Sequence, residues 1–452
     1  MAPPAASGAS GTGFSGHQNT NNTNIVTRPQ NEGDFVTLVL DNGADRMKMG
    51  FAGDPAPRFY IPNCMAKLKG QLQWLIGEDM DSVNNTANLQ YTRPFDRGYL
   101  TDWEAEHQIW GRAFGANKAK VDPAQTHLVL TEAPFTPSPL ATFSTQVVFE
   151  EFGFAACAKM PAASFSGYRY SLMEKQQQQQ LGHQQGEGTG VDAVLVIDSG
   201  FSFTHVVPMY RGKAQRAGVR RVNVGGKLLT NLLKETVSYR QWNMMDEFQL
   251  MNDAKEALCF VSQNFGAEMA KIRPGGGPSR QVRTQEALRR NFVLPDFQTT
   301  MRGYVQDVQV QGHQQTEAEQ QVLSMEVERF VVPEVLFRPS DVGLRQGGLP
   351  EAVVEAVEAC DIGLRGALYN NIVLTGGNVL FPGFAQRLHT ELRIRVPEYY
   401  SVKVQAPPDP IEYAWRGAAH MAQYQPQIFV SKSQYDEYGA EFIQERMFDG
   451  LW

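Results

Sequence analysis

The chain has 452 residues, and its 41 basic and 48 acidic side chains give a formal net charge of −7. This is enough chain for a large core in several lobes, and the balance argues against broad electrostatic capture of nucleic acid, though not against a local basic patch. Cys64, Cys157, Cys259 and Cys360 lie far apart, with no Cys-x-x-Cys pair and no His at ligand spacing; this speaks against a zinc site or disulfide framework and fits a reducing compartment.

Residues 1–34 are rich in Ala, Gly, Ser, Asn and Pro and carry few large apolar side chains, so a disordered tail is expected there. The tail lacks the charged-then-apolar layout of a signal peptide, and no apolar run is long enough to span a bilayer, so a cytosolic or nuclear protein is expected. Globular sequence starts at Phe35. The run Leu38-Val39-Leu40 ends in Asp41-Asn42-Gly43, and Val196-Ile197 ends in Asp198-Ser199-Gly200. In each, a strand feeds a tight turn whose successive N–H groups form a concavity suited to phosphate oxygens. Asp41 and Asp198 at the strand ends could hold Mg²⁺, which takes one or two carboxylates and keeps several waters. The duplication predicts two similar lobes, each contributing one jaw of a nucleotide cleft. Lys48, on the returning strand, either reaches phosphate across the hairpin or lies solvated at the surface.

Residues 103–110 read as a helix, Val129 to Pro134 as a buried strand, and 141–154 as a helix turning Val147, Val148 and Phe152 inward. The Gln-rich stretch 171–190 is expected to be a surface loop. Gly225-Gly226 opens a helix carrying Lys227, and a Gly pair there admits a ligand or a partner element. A second helix places Met251, Ala254 and Leu258 on one face, with Lys255 and Glu256 on its other side. Residues 266–325 lose periodicity and are expected to be a loop-rich insertion, a place for partner contacts. A third turn, Gly376-Gly377, follows the strand Ile372 to Thr375, and Phe381 beyond it either stacks on a base or fills the core.

From about residue 36 to 448 the chain resembles actin. The resemblance rests on Asp41-Asn42-Gly43 with Gly50 to Arg58, on Leu130 to Pro134, and on Asp198-Ser199-Gly200 with Thr204 to Pro208. It continues through Arg329 to Phe337, Thr375-Gly376-Gly377 with Phe381-Pro382-Gly383, and Ser431 to Glu437. It implies the duplicated α/β, ribonuclease H-like fold of actin, sugar kinases and chaperone ATPases, two lobes around a central nucleotide cleft. The lobes would comprise residues 35–170 with 412–452, and residues 191–411. ATP or ADP with Mg would be held, as a structural ligand, by Asp41, Asn42, Gly43, Lys48, Asp198, Ser199, Gly200, Lys227, Glu256, Gly376, Gly377 and Phe381, with Asp41 and Asp198 reaching the metal through water.

Departures from actin point away from turnover and from filaments. Ala162 stands where actin has the Gln that positions the attacking water, Phe201 replaces a carboxylate, and Ile411 replaces a Lys near the adenine. Asp45 adds a carboxylate beside the phosphates, which is expected to repel them. Asp341 replaces an apolar filament contact, so no homopolymer is expected. Thr37 to Ala44, Asp198 to His205, Arg221 to Asn231 and Val293 to Phe297 resemble one actin-related subfamily, the nuclear subunits of Swr-type chromatin remodellers. That resemblance implies a non-catalytic scaffold in the nucleus, also present in the cytoplasm, in a complex that exchanges nucleosomal H2A for its variant. Its partners would be the remodeller ATPase subunit, a zinc-finger HIT protein, other complex subunits and, indirectly, the nucleosome, with no membrane. The alternative is a working ATPase or kinase of the same superfamily.

Overall fold

A computed structural model describes residues 35–83, 89–180, 191–272, 288–298, 300–306 and 320–448. The expected N-terminal tail lies outside these residues. The first six-stranded sheet runs in the order Val430–Ser431, Ala156–Pro161, Thr126–Glu132, Val36–Asn42, Arg46–Phe51 and Phe59–Pro62. The second runs Lys213–Ala214, Thr204–Tyr210, Ala193–Ser199, Ile372–Thr375 and Val404–Gln405, with Arg220–Val222 also paired to Thr204–Tyr210. The first sheet draws its strands from residues 36–161 and 430–431, the second from residues 193–405.

The two sheets repeat one plan. In each, the strand ending in Asp pairs antiparallel with the next strand and parallel with a later one. The register sets Asp41 opposite Lys48 and Asp198 opposite His205, so the two Asp turns occupy equivalent places. Buried runs account for the strands: Leu38, Val39 and Leu40 in one and Leu195, Val196 and Ile197 in the other have no exposed surface. Strands covered on both faces read as continuous apolar runs for that reason.

Helices cover the sheets. Asp102 caps the helix Trp103–Phe114 by accepting from the Ala105 N–H at 3.1 Å. Helices Ala162–Gln180 and Tyr413–Tyr424 pack so closely that a Cβ on Gly417 would lie 2.1 Å from the Phe165 carbonyl oxygen. Trp415, fully buried, donates its indole N–H to the Val39 carbonyl at 3.1 Å and ties this helix to the first sheet. Among the described residues no helix is long and apolar enough to cross a membrane, and all four cysteines are buried free thiols.

Three expectations need correction. Residues 171–180 are not a loop, because the helix that begins at Ala162 runs on to Gln180; residues 181–190 lie outside the described ones. Gln is an adequate helix former, and extending an existing helix adds a hydrogen bond for each residue fixed. The helix expected over 141–154 is Ser138–Gln146 followed by a π-helical turn, Val147–Glu151, which buries Phe149 completely and leaves Phe152 partly exposed. Within 266–325, Arg290–Val293, Tyr304–Gln306 and Val322–Met325 form a three-stranded antiparallel sheet. Phe292, Leu294, Leu323 and Met325 from this region join the core of the second sheet. Residues 273–287, 299 and 307–319 lie outside the described residues.

Candidate functional site

The two Asp turns and the Gly376-Gly377 turn face a cleft of about 530 Å³ between the sheets. At the first turn, Asp41 accepts from Thr131 Oγ1 and from Lys48 Nζ, both at 2.8 Å. Lys48 therefore points into the cleft, its ammonium paired with the carboxylate opposite it in the hairpin. The turn itself is held from behind: the Asn42 N–H donates to Thr131 Oγ1 at 2.8 Å, and Asn63 Nδ2 donates to Asn42 Oδ1 and to the Gly43 carbonyl at 3.2 and 3.1 Å. Asn42 Nδ2 donates to Glu106 Oε1 at 2.6 Å. Glu106 has no exposed surface, and burial, opposed by the hydrogen bond from Asn42, pushes its carboxyl up to about 7.

The second turn is stitched to its neighbours. Ser199 Oγ meets Thr204 Oγ1 at 2.8 Å, and Asn378 Nδ2 donates to Ser199 Oγ and to the Gly200 carbonyl at 3.1 and 2.8 Å. Gly376 adopts φ +91°, and a Cβ there would lie 2.3 Å from the Ser199 carbonyl oxygen, so only glycine lets the third turn approach the second. Asp198 is pushed up to about 6, first by burial and then by the negative charge of Asp41. Two carboxylates from equivalent strand ends thus face one space with Lys48 as partner, a donor set that fits a Mg²⁺ ion keeping most of its waters. No cluster of three or more His, Cys, Asp or Glu side chains forms a metal cage among the described residues.

The cleft is lined by Asp41, Asn42, Gly43, Lys48, Asp198, Gly200, Glu256, Gly376, Gly377 and Phe381. Two of the expected ligands do not line it. Ser199 is fully buried, its hydroxyl taken up by Thr204 and Asn378. Lys227 is exposed in a smaller adjoining pocket, because Gly226 faces the cleft and the next helical residue turns away. The Gly225-Gly226 pair admits a partner element: the Gly226 and Lys227 N–H groups donate to the Gly200 and Phe201 carbonyls at 3.0 and 2.8 Å. Phe381, 6% exposed, belongs to the core cluster of the second sheet, while Leu380 and Ile411 present more surface to the cleft.

Lys255 is the residue that sequence reasoning missed. It is 3% exposed and donates to Asn252 Oδ1 at 2.8 Å, Thr230 Oγ1 at 2.9 Å and the Gly226 carbonyl at 3.3 Å, and burial lowers its pKa. The sequence did hold a signal, since Lys255 falls four residues after Met251 and three before Leu258, on the apolar face of its helix. Glu256 is the exposed neighbour, accepting from Asn252 Nδ2 at 2.7 Å. His205 also lines the cleft, and burial and the Arg221 charge lower its pKa to about 4.

Four of the departures from actin, Asp45, Ala162, Phe201 and Ile411, line the cleft. Ala162 lines the cleft at the start of its helix, and its methyl group cannot orient a water. Asp45 is not a bare charge, since Arg93 Nη1 lies 3.3 Å from its Oδ1 and offsets the expected repulsion. Glu132 is likewise paired, 3.2 Å from the buried Lys159.

The fold and cleft define an actin-type protein, and the family model for actin matches residues 33–448. The chain belongs to the actin family. Within that family it is an actin-related protein similar to actin-related protein 6 of Neurospora crassa, at 37% identity over 92% of this chain and 95% of that protein. It is also 36% identical to actin-related protein 6 of Oryza sativa subsp. indica over 91% of this chain and 98% of the relative. The Drosophila melanogaster actin-related protein 6 is 35% identical over 91% and 99%.

Proposed function

We propose that this protein is a non-filamentous scaffold subunit of a nuclear, Swr-type chromatin-remodelling complex that exchanges nucleosomal H2A for its variant, and so contributes to transcriptional regulation. In this reading it works in the nucleus, with a further pool in the cytoplasm, and binds the remodeller ATPase subunit and a zinc-finger HIT protein, meeting the nucleosome through the complex. The cleft would hold ATP or ADP as a structural ligand, and Asp41 and Asp198 would hold through water a Mg²⁺ ion that would supply charge neutralisation for the phosphates. Thr131 and Lys48 orient Asp41, and Asn42, Asn63 and Glu106 brace the turn behind it. The single observation that carries the non-catalytic part is Ala162 on the cleft wall, because in-line attack on a γ-phosphate requires a held water and a methyl group holds none. Likeness to actin-related protein 6 along nine-tenths of the chain supports the assembly role.

The test is ATP binding and single-turnover hydrolysis by the full-length protein, alone and with the HIT-type protein. Nucleotide bound with negligible turnover is expected. Turnover at about 1 s⁻¹ or faster would be ordinary enzymatic catalysis and would replace this reading with an active ATPase or kinase. For the assembly role, the protein should co-purify with the HIT-type protein and the remodeller ATPase subunit, and failure to do so in a reciprocal pull-down overturns it. Deleting all of 266–325 is unsuitable for mapping that contact, since Phe292, Leu323 and Met325 are core residues. Replacing only 307–319 leaves the three strands untouched.

A further inference from the structure

Among the described residues the chain passes between the two halves twice, through helix Ala162–Gln180 on the way to strand Ala193–Ser199 and between strand Val404–Gln405 and helix Tyr413–Tyr424. These crossings are fastened together: Arg169 lies 3.6 Å from Asp409, and Gln405 Nε2 donates to the Tyr170 hydroxyl at 3.1 Å. They form a natural hinge, and elsewhere among the described residues side-chain contacts join the halves.

Two such contacts bring the first half against the second beside the second Asp turn. The Arg93 guanidinium carbon lies 4.8 Å from the centre of the Phe201 ring and 5.5 Å from that of Phe248, while Arg93 pairs with Asp45 and donates to the Ala44 carbonyl at 3.4 Å. Arg221 repeats the arrangement from the second half, lying 5.9 Å from the Tyr99 ring centre of the first half and donating to the Tyr99 hydroxyl at 2.8 Å, while Phe203 of its own half backs the guanidinium at 4.5 Å. Between them Gly98, at φ +77°, brings its backbone so close to Phe203 that a Cβ would lie 2.7 Å from the ring.

We propose that these two arginine–aromatic contacts are a clasp that closes the cleft away from the hinge and sets the rate at which a nucleoside phosphate enters and leaves. The proposal rests on the reading of the cleft as a nucleotide site and adds the regulation of that site. Phe95 and Gln249 line both the cleft and a smaller pocket of about 380 Å³, in which Arg93, Phe248 and the exposed Lys227 also stand. The clasp therefore separates the cleft from an outer vestibule, where Lys227 offers a positive charge to an incoming phosphate. A guanidinium against aromatic faces suits a reversible latch, because it is attractive without needing a desolvated carboxylate as partner. Phe201 thus takes part in closure, at a position whose replacement had signified only a lost carboxylate.

The experiment compares the full-length protein with Phe201→Ala, Arg93→Met and the double variant, and uses two readouts. The first is backbone hydrogen exchange without nucleotide, over residues 95–100 and 201–205. Both segments should exchange faster in each single variant, the double variant should add little, and residues 165–170 at the hinge should be unchanged. The second is release of a fluorescent ATP analogue chased with excess ATP, expected to be about tenfold faster in each single variant, matching one lost cation–aromatic contact. Unchanged exchange in both segments, or faster exchange in one segment alone in either single variant, overturns the clasp. If the parent protein binds no analogue, the nucleotide reading falls while the exchange data still decide whether the halves are clasped.

Discussion

Glu106 shows how much a single buried side chain contributes to the site. Its carboxyl, ordinarily near 4.5, is held at about 7 by burial, so the folded state keeps a proton that the unfolded chain has released. Stability from this group is therefore present below pH 4.5 and lost as pH rises through about 7. Glu106→Gln keeps an acceptor for Asn42 and removes the buried charge; it should stabilise the protein at pH 8 by about 3 kcal/mol, with the gain vanishing towards pH 4.5, as read by denaturant unfolding. His205 contributes the opposite slope. Its pKa falls from 6.5 to about 4, so stability is lost as pH falls through that window, and His205→Gln should flatten the acid limb. On the cleft wall, Ala162→Gln should leave ATP affinity unchanged and raise single-turnover hydrolysis by about tenfold or more, because it supplies a group able to orient water.

The small sheet Arg290–Val293, Tyr304–Gln306 and Val322–Met325 is the element that most changes how the chain is understood. Its strands look like part of an unpatterned insertion because each is short and a Gln-rich stretch separates the second from the third. Pairing between Phe292 and Leu323 closes the sheet, and both side chains are buried in the second core. Phe292→Ala should therefore destabilise by about 3–5 kcal/mol, whereas Tyr304→Ala, on the exposed edge strand, should stay within about 0.5 kcal/mol. Chemical denaturation of the two variants checks the contrast. If both are neutral, the sheet is an ornament and not a part of the core.

For the whole molecule, the question is whether copies of the chain assemble. Asp341 is exposed on its turn, and an apolar interface covering that carboxylate would have to desolvate it. No pelletable polymer should form in Mg²⁺ and ATP at concentrations where actin-type filaments sediment. Asp341→Leu alone should not restore one, since an interface needs an extended complementary surface and not one contact. A Mg-dependent pellet from the parent protein would overturn this.

The sequence by itself determined the family, the duplicated turns and most of the cleft wall. It could do so because a strand ending in Asp and Gly constrains its own backbone, and two such turns in the same strand pattern imply one plan used twice. Asp41, Asp198 and the Gly376-Gly377 turn are legible in this way, as their places on the cleft wall follow from local geometry. What only the tertiary structure decided is where side chains of local ambiguity point. Lys255 enters the cleft while Lys227 leaves it, Ser199 is used up by Thr204 and Asn378, and Phe381 goes to the core. Asp45 gains Arg93 from a segment nearly fifty residues away, and Phe201 gains the same arginine across the cleft. Such contacts join residues distant in the chain, and their energies depend on burial and on partners that no local pattern records.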